Sequence, residues 1–284
     1  MMVWARILLA GAAFAAHALG ADTAPNKPLF RAHAHNDYLH ARPLADALAH
    51  GFWSVEADIW LTNGVLLVAH DFDKTSPERT LQKLYLDPLR AFVKTNRVGL
   101  AVLSEPGLNR ERGAVRTPRP TLPPITLLID VKSAAEPTWA ALHDVLKGYS
   151  DIFTRFESNV IHTNAVIAII SGSRAEATMR GEAVRFAALD GRLPDLESNP
   201  PVALVPLISD NWTRHFKWRG NGPLPEDERA KLRELVARTH AQGRRIRLWA
   251  APDTAAGWKE LRDAGVDLLN TDKLAAMQQF LREQ

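Results

Sequence analysis

The sequence predicts an α/β fold, a (β/α)8 TIM barrel with an insertion after the second strand. Three observations carry that expectation. Strand signals recur near positions 29, 55, 127, 167, 186, 204, 246 and 267, with helical periodicity in most of the intervals. The length, 284 residues, suits one barrel domain, for which ~250 residues is typical. Chemistry-bearing side chains fall at or just after the strand ends, where barrels of this kind keep their sites. An open doubly wound sheet is the alternative reading of the same alternation.

The chain begins with Arg6, the apolar run Ile7–Ala16 and the small-residue stretch Ala18-Leu19-Gly20. That pattern predicts a cleaved signal peptide over residues 1–20 and an exported, periplasmic or secreted protein. The apolar run is short of the ~20 residues a membrane span needs. Residues 21–284 then form a single domain behind a short polar leader. There is no cysteine, which excludes disulfides, thiol catalysis and cysteine-based zinc sites. A net charge of +3 gives no case for a nucleic-acid partner. The cluster Arg244, Arg245, Arg247 reads as solvated or structural. Nothing in the sequence predicts a stable protein partner.

Leu29–Ala32 enters the first strand, which ends at His33 and His35. Pro43 opens a helix with Leu44 and Leu48 stacked, and Gly51 stops it. Ser54–Ile59 (SVEADI) is the second strand. Residues two apart on a strand share a face, so Glu56 and Asp58 point the same way. Two like carboxylates on one face repel and are costly to bury unpaired. A hard divalent cation, Mg²⁺ or Ca²⁺, resolves both problems. The Asn63–Gly64 turn folds Val65–Val68 back as a hairpin and delivers His70 near the level of the carboxylates.

Residues 72–124 form the insertion: one or two helices in SPERTLQKLYLDPLRAF, then the Pro- and Arg-rich stretch Glu105–Pro124. A segment of this length serves either as a functional lid or as a surface loop. Thr126–Lys132 alternates again and sets Leu128, Asp130 and Lys132 on one face. Trp139, Leu142 and Leu146 mark a helix. Val166–Ser173 is a strand ending in Ser-Gly-Ser, with Ser171 at its end. Arg185–Leu189 and Ala203–Ile208 are further strands, the latter followed by a polar, aromatic loop over 209–222 that includes Asn211. Pro225–Gln242 is a helix with Glu226, Asp227 and Glu228 in its first turn and Gly243 at its stop. Arg245–Ala250 is a strand ending near Trp249. A helix over Thr254–Ala264 and a strand over Val266–Asn270 follow, and Asp272 caps a last helix.

These segments resemble the phospholipase-C-like phosphodiesterase superfamily, which includes glycerophosphodiester phosphodiesterases, and most of all the altered inheritance of mitochondria protein 6-like group. The resemblance rests on AHAHNDY (32–38), SVEADIWL (54–61), VAHD (68–71), SPERTLQKLYLDPL (76–89), LLIDVK (127–132) and NTD (270–272). It implies a barrel phosphoric diester hydrolase with a divalent metal and two catalytic histidines. Glu56, Asp58 and Asp130 match its metal ligands and His70 its second histidine. The first histidine is His35, with Asn36 as a further ligand, or else His33. Two departures bear on the substrate more than on phosphodiester chemistry. The His-Arg-Gly and Pro-Glu-Asn-Thr runs of the glycerophosphodiesterases are missing, and their third carboxylate, usually Glu, is Asp130 here.

The implied substrate is a small phosphodiester or phospholipid-derived molecule. One histidine takes the proton of the attacking hydroxyl or water and the other protonates the leaving oxygen. Lys132 either adds positive charge for the substrate or forms a buried ion pair with Asp130 or another barrel acid. Trp249 either walls the pocket or packs in the core. Two rival readings remain. In an amidohydrolase-like metalloenzyme, His33, His35 and Asp272 would be ligands, but that chemistry also needs ligands after the middle strands, where only His215 lies in a suitable loop. The other is a barrel that binds a phosphorylated ligand without turning it over.

Overall fold

The structure is a computed structural model that describes residues 27–96 and 122–283. The expected signal peptide and most of the Pro- and Arg-rich stretch fall outside the described residues. In chain order the strands are β1 (Leu29–Ala34), β2 (Phe52–Thr62), β3 (Val65–Val68), β4 (Ile125–Val131), β5 (Arg155–Glu157), β6 (Val160–His162), β7 (Val166–Gly172), β8 (Val184–Arg185), β9 (Ala187–Gly191), β10 (Leu207–Asn211), β11 (Arg245–Trp249) and β12 (Leu269–Thr271).

Eight of them run parallel in the ring order β12, β1, β2, β4, β7, β9, β10, β11. A parallel bridge between Arg247 and Leu268 brings the two ends of that ring together. This is the expected (β/α)8 barrel, with helices between its strands, and not an open doubly wound sheet. Strand alternation divides its apolar residues. Val55, Ala57, Ile59, Leu127 and Ile129 face outward into the main core beneath the helices, while Leu128, Ile169, Ala188, Leu207 and Leu268 form a separate small cluster. These five sit on the alternate strand face, so they plug the barrel interior below the site.

β3 returns antiparallel beside β2, from Thr62↔Val65 to Ile59↔Val68, around Asn63 and Gly64, both at positive φ. That is the hairpin the Asn-Gly pair predicts. Of the insertion, Gln82–Leu86 runs into the helix Asp87–Asn96. Leu81, Tyr85, Leu86, Leu89 and Val93 bury into the main core. The described part of the insertion therefore packs on the barrel between its second and third strands.

Three strands sit later than the sequence indicates; the last, expected over Val266–Asn270, is Leu269–Thr271. The expected strand Ala203–Ile208 begins only at Leu207, because Pro206 has no N–H to give to the ladder. The expected strand Arg185–Leu189 is split: Val184–Arg185 joins the small sheet of β5 and β6, and the barrel strand is Ala187–Gly191. The β5–β6 hairpin has no forerunner in the sequence reading. Asp272 does not cap the last helix, Leu274–Arg282, whose N-cap is Lys273.

The first βα connection is held by a buried acid. Asp37 Oδ2 accepts from Leu44 N–H (2.5 Å) and the Tyr85 hydroxyl (2.9 Å), while its Oδ1 has no partner. Burial pushes its pKa up to about 6, against the pull of those two hydrogen bonds. The folded chain thus holds this proton more tightly than the unfolded chain does. Its contribution to stability is greatest below pH ~4 and is lost as pH rises to about 6, by up to ~3 kcal/mol. Asp37→Asn is expected to remove that decline. Urea unfolding of both proteins at pH 4.5 and 7 measures it, and equal pH dependence in the two would refute it.

Candidate metal centre and active site

β2 and β4 pair in parallel with Asp58 opposite Asp130, and β7 continues the level with Ser171 opposite Asp130. Alternation sends Glu56, Asp58 and Asp130 to the same inner face, Glu56 one step deeper in the barrel. One oxygen from each of the three carboxylates lies within 4.8 Å of the others. Glu56 and Asp58 are buried, 4% and 1% exposed. Asp58 Oδ1 and Asp130 Oδ1 are buried without a hydrogen-bond partner. A glycine makes room for this arrangement. Gly172 stands at φ +69°, and a Cβ there would meet Asp130 Oδ1 at 2.0 Å and the Val131 carbonyl oxygen at 2.4 Å.

Positive charge surrounds the cluster without filling it. Lys132 Nζ reaches Asp130 Oδ2 (2.8 Å) and Asp58 Oδ2 (3.1 Å), so the ion-pair reading of Lys132 is realised. Burial and the Glu56 charge nonetheless push Asp58 up to about 6, outweighing Lys132. Glu56 differs. Burial alone would raise it, but Arg247 and His33 hold its carboxyl well below the usual range. Arg247 is 3% exposed, pairs with Glu56 Oε2 and donates through Nε to Asn270 Oδ1 (2.8 Å). Three acids with two orphaned oxygens suit a hard divalent cation bound through oxygen.

The two first-strand histidines have different surroundings. His33 is wholly buried, with Nε2 3.1 Å from Glu56 Oε2 and Nδ1 2.7 Å from the Ser54 hydroxyl. Burial, then Arg247, lowers its pKa to about 4, so it is a neutral ring with both nitrogens engaged. His35 is 31% exposed in its side chain, its Nδ1 bonds Asp272 Oδ1 (3.0 Å), and its Nε2 lies 4.0 Å from Glu56 Oε1. Burial opposes protonation of His35, yet Asp272 and Glu56 raise its pKa above the ordinary value.

Asn36 is linked to the ligand cluster through Tyr38. Its Oδ1 lies 2.6 Å from the Tyr38 hydroxyl, which is itself 2.8 Å from Asp58 Oδ2. His70 follows Ala69, whose N–H bonds the Asp58 carbonyl (3.1 Å). Its imidazole is 58% exposed on the rim and pairs with Asp71 (2.9 Å). Trp249 ends β11 opposite Asn211, half-buried at the same rim. Asn211 itself caps the following helical turn through Thr213 N–H (2.8 Å).

Sequence reasoning missed three contributors. Tyr38 ties the first connection to Asp58, and Gly172 admits Asp130. Arg247 is neither solvated nor idle, since it fixes Glu56. Its signal was present in the alternation Arg245, Arg247, Trp249 along β11, which turns all three toward the barrel interior.

A parallel eight-stranded barrel with an acidic cluster at the carboxyl ends of adjacent strands defines an α/β-barrel protein of the glycerophosphodiester phosphodiesterase fold. Two solved structures share it. A glycerophosphodiester phosphodiesterase from Agrobacterium tumefaciens matches with TM-score 0.50 and 15% identity over 90% of this chain and 100% of its own. Another from Parabacteroides distasonis matches with TM-score 0.51 and 15% identity over 90% of this chain and 98% of its own. The chain belongs to the AIM6-like phosphodiesterase domain family, whose model matches residues 22–185. That span contains His35, Glu56, Asp58, His70 and Asp130. Residues 245–275, which carry Arg247 and Asp272, match the glycerophosphoryl diester phosphodiesterase family. Altered inheritance of mitochondria protein 6 from Eremothecium gossypii is 29% identical, covering 89% of this chain and 69% of that protein. A homolog from Arthroderma benhamiae is 27% identical, covering 86% and 81%.

Proposed function

We propose that this protein is a metal-dependent phosphoric diester hydrolase acting on a small or phospholipid-derived phosphodiester. The observation that carries the reading is the pair of orphaned oxygens, Asp58 Oδ1 and Asp130 Oδ1, beside Glu56, whose Oε1 lies 4.0 Å from His35 Nε2. Glu56, Asp58 and Asp130 would hold the cation, Mg²⁺ or Ca²⁺. When bound, the cation would supply Lewis-acid charge for a non-bridging phosphate oxygen.

The other roles belong to the chain. Asp272 fixes the His35 ring through Nδ1, leaving Nε2 to take the proton of the attacking hydroxyl or water. His33, buried and doubly bonded, supports Glu56 instead. His70 on the rim donates the proton to the leaving oxygen. Lys132 adds positive charge beside the phosphoryl group, and Trp249 walls the mouth.

The amidohydrolase-like alternative finds no support, because no histidine joins the ligating cluster among the described residues. The non-catalytic alternative is separated by assay. A panel of phosphodiesters, with and without added divalent cation, is expected to show cation-dependent turnover. His35→Ala and His70→Ala are each expected to lower kcat by ~10²–10⁴-fold. Inactivity of the wild type across the panel, or an unaltered rate in His70→Ala, would contradict the enzyme reading.

A further inference from the structure

The far end of the barrel, where the strands begin, holds a cavity of about 240 Å³ lined by Phe30, Arg31, Trp53, Thr126, Arg245 and Asp267, with two prolines. These residues open β1, β2, β4 and β11 or just precede β12. The acidic cluster lies at the opposite strand ends, so the two sites do not share residues.

The charge in this cavity is poorly matched. Arg245 enters along the barrel floor, and both terminal nitrogens reach one hydroxyl, Thr126 Oγ1, at 3.2 Å. No carboxylate lies within ion-pair distance of it among the described residues. Burial lowers its pKa, with Asp267 acting the other way. Asp267 is committed elsewhere: its Oδ2 accepts from Ile246 N–H (2.9 Å) and bonds His240 Nε2 (2.8 Å). Arg31 stands at the mouth, its guanidinium donating, among the described residues, only to the Arg262 carbonyl (3.2 Å). A second, wider hollow of about 660 Å³ shares Phe30 and Arg31 and adds Lys27 and Arg282. Among the described residues, the two adjoining hollows thus carry four cationic side chains against one carboxylate.

The walls are apolar and partly aromatic. Trp53 meets Phe30 edge-on at 6.1 Å, and Phe30 is 44% exposed, a large ring left beside the opening. A guanidinium with only a neutral acceptor is best satisfied by an anion that it can contact through two nitrogens. Aromatic and proline surface beside it suits a flat or apolar body on that anion.

We propose that this floor cavity is a second binding site, for a small organic anion with a carboxylate or phosphate head on an aromatic or apolar body. Arg245 and Arg31 contact the head, and Phe30 and Trp53 contact the body. The site is independent of the phosphodiesterase reading.

Calorimetric titration of the full chain with benzoate, phenyl phosphate, inorganic phosphate and the neutral analogue benzamide tests it. Either aromatic anion, or both, should bind saturably below ~10 mM, and benzamide should not. Preference between benzoate and phenyl phosphate identifies the head group. Arg245→Met should weaken that binding at least about tenfold. Arg31→Ala, at an exposed position, should weaken it severalfold and covers the case in which the first variant fails to fold. Asp130→Asn, at the other end of the barrel, should leave it intact, which separates this site from the acidic cluster. The proposal is overturned if neither aromatic anion binds, if benzamide binds equally well, if the Arg variants bind as the wild type does, or if Asp130→Asn abolishes binding.

Discussion

Asp130→Asn is expected to abolish cation-dependent turnover while leaving the metal-free fold close to the wild type in stability. Both halves follow from the geometry. Asp130 brings an orphaned, buried oxygen to the cluster, and an amide in its place offers a far weaker ligand to a hard cation. Losing the cation forfeits several kcal/mol of transition-state stabilisation, on the order of 10³-fold in rate. In the absence of metal, however, Asp130 is one of the charges that push up the pKa of Asp58, after burial and Glu56. Removing that charge relieves repulsion but also gives up the Lys132–Asp130 ion pair (2.8 Å), and the two effects oppose each other. Thermal melts with and without Mg²⁺ or Ca²⁺ provide the second readout. The wild type should gain ~2–3 kcal/mol at a hundredfold excess of cation over Kd, and the variant should gain little. A variant that keeps its rate, or that is stabilised by cation as strongly as the wild type, would contradict the assignment.

Gly172→Ala is expected to damage the same centre through the backbone. At φ +69° an alanine is strained, and its Cβ would overlap Asp130 Oδ1 at 2.0 Å and the Val131 carbonyl at 2.4 Å. The carbonyl belongs to the β4 ladder and cannot swing aside, so the strand or the carboxylate must move. Gly64→Ala is the matched control. It has φ +78° in the hairpin turn, with nothing within 4 Å of the added carbon. Gly64→Ala should cost only the backbone term, ~1 kcal/mol. Gly172→Ala should cost ~2–4 kcal/mol and lose cation affinity as well. Urea unfolding and cation titration of the two variants measure the difference. Equal effects would mean that the approach of Asp130 to this glycine has no role.

How much of this centre was readable in the chain depends on the kind of information required. Glu56 and Asp58 were legible because strand alternation is local: two residues apart means one face. Asp130 was legible as a strand-end acid, but its level opposite Asp58 is a matter of register between strands far apart in sequence, which alternation alone does not set. For Arg247 the sequence left two readings open, solvated or structural, because a run of arginines in an amphipathic segment ordinarily faces water; the structural one holds. Here the barrel interior holds a partner, Glu56, at a sequence separation of 191 residues. His33 and His35 were indistinguishable by spacing, since both point inward. What separates them is depth. His33 lies level with Ser54 on the neighbouring strand, and His35 lies past the strand end beside Asp272. The shifted strand at Leu207 was legible in principle, through Pro206.

The central claim is that Glu56, Asp58 and Asp130 together bind one divalent cation. Anomalous diffraction from crystals of the full chain saturated with Mn²⁺ tests it most directly. The account predicts an anomalous peak with an oxygen of each of these three carboxylates within ~2.0–2.6 Å. A saturated crystal whose manganese sites all lie elsewhere, with Lys132 still bridging Asp58 and Asp130, would contradict it.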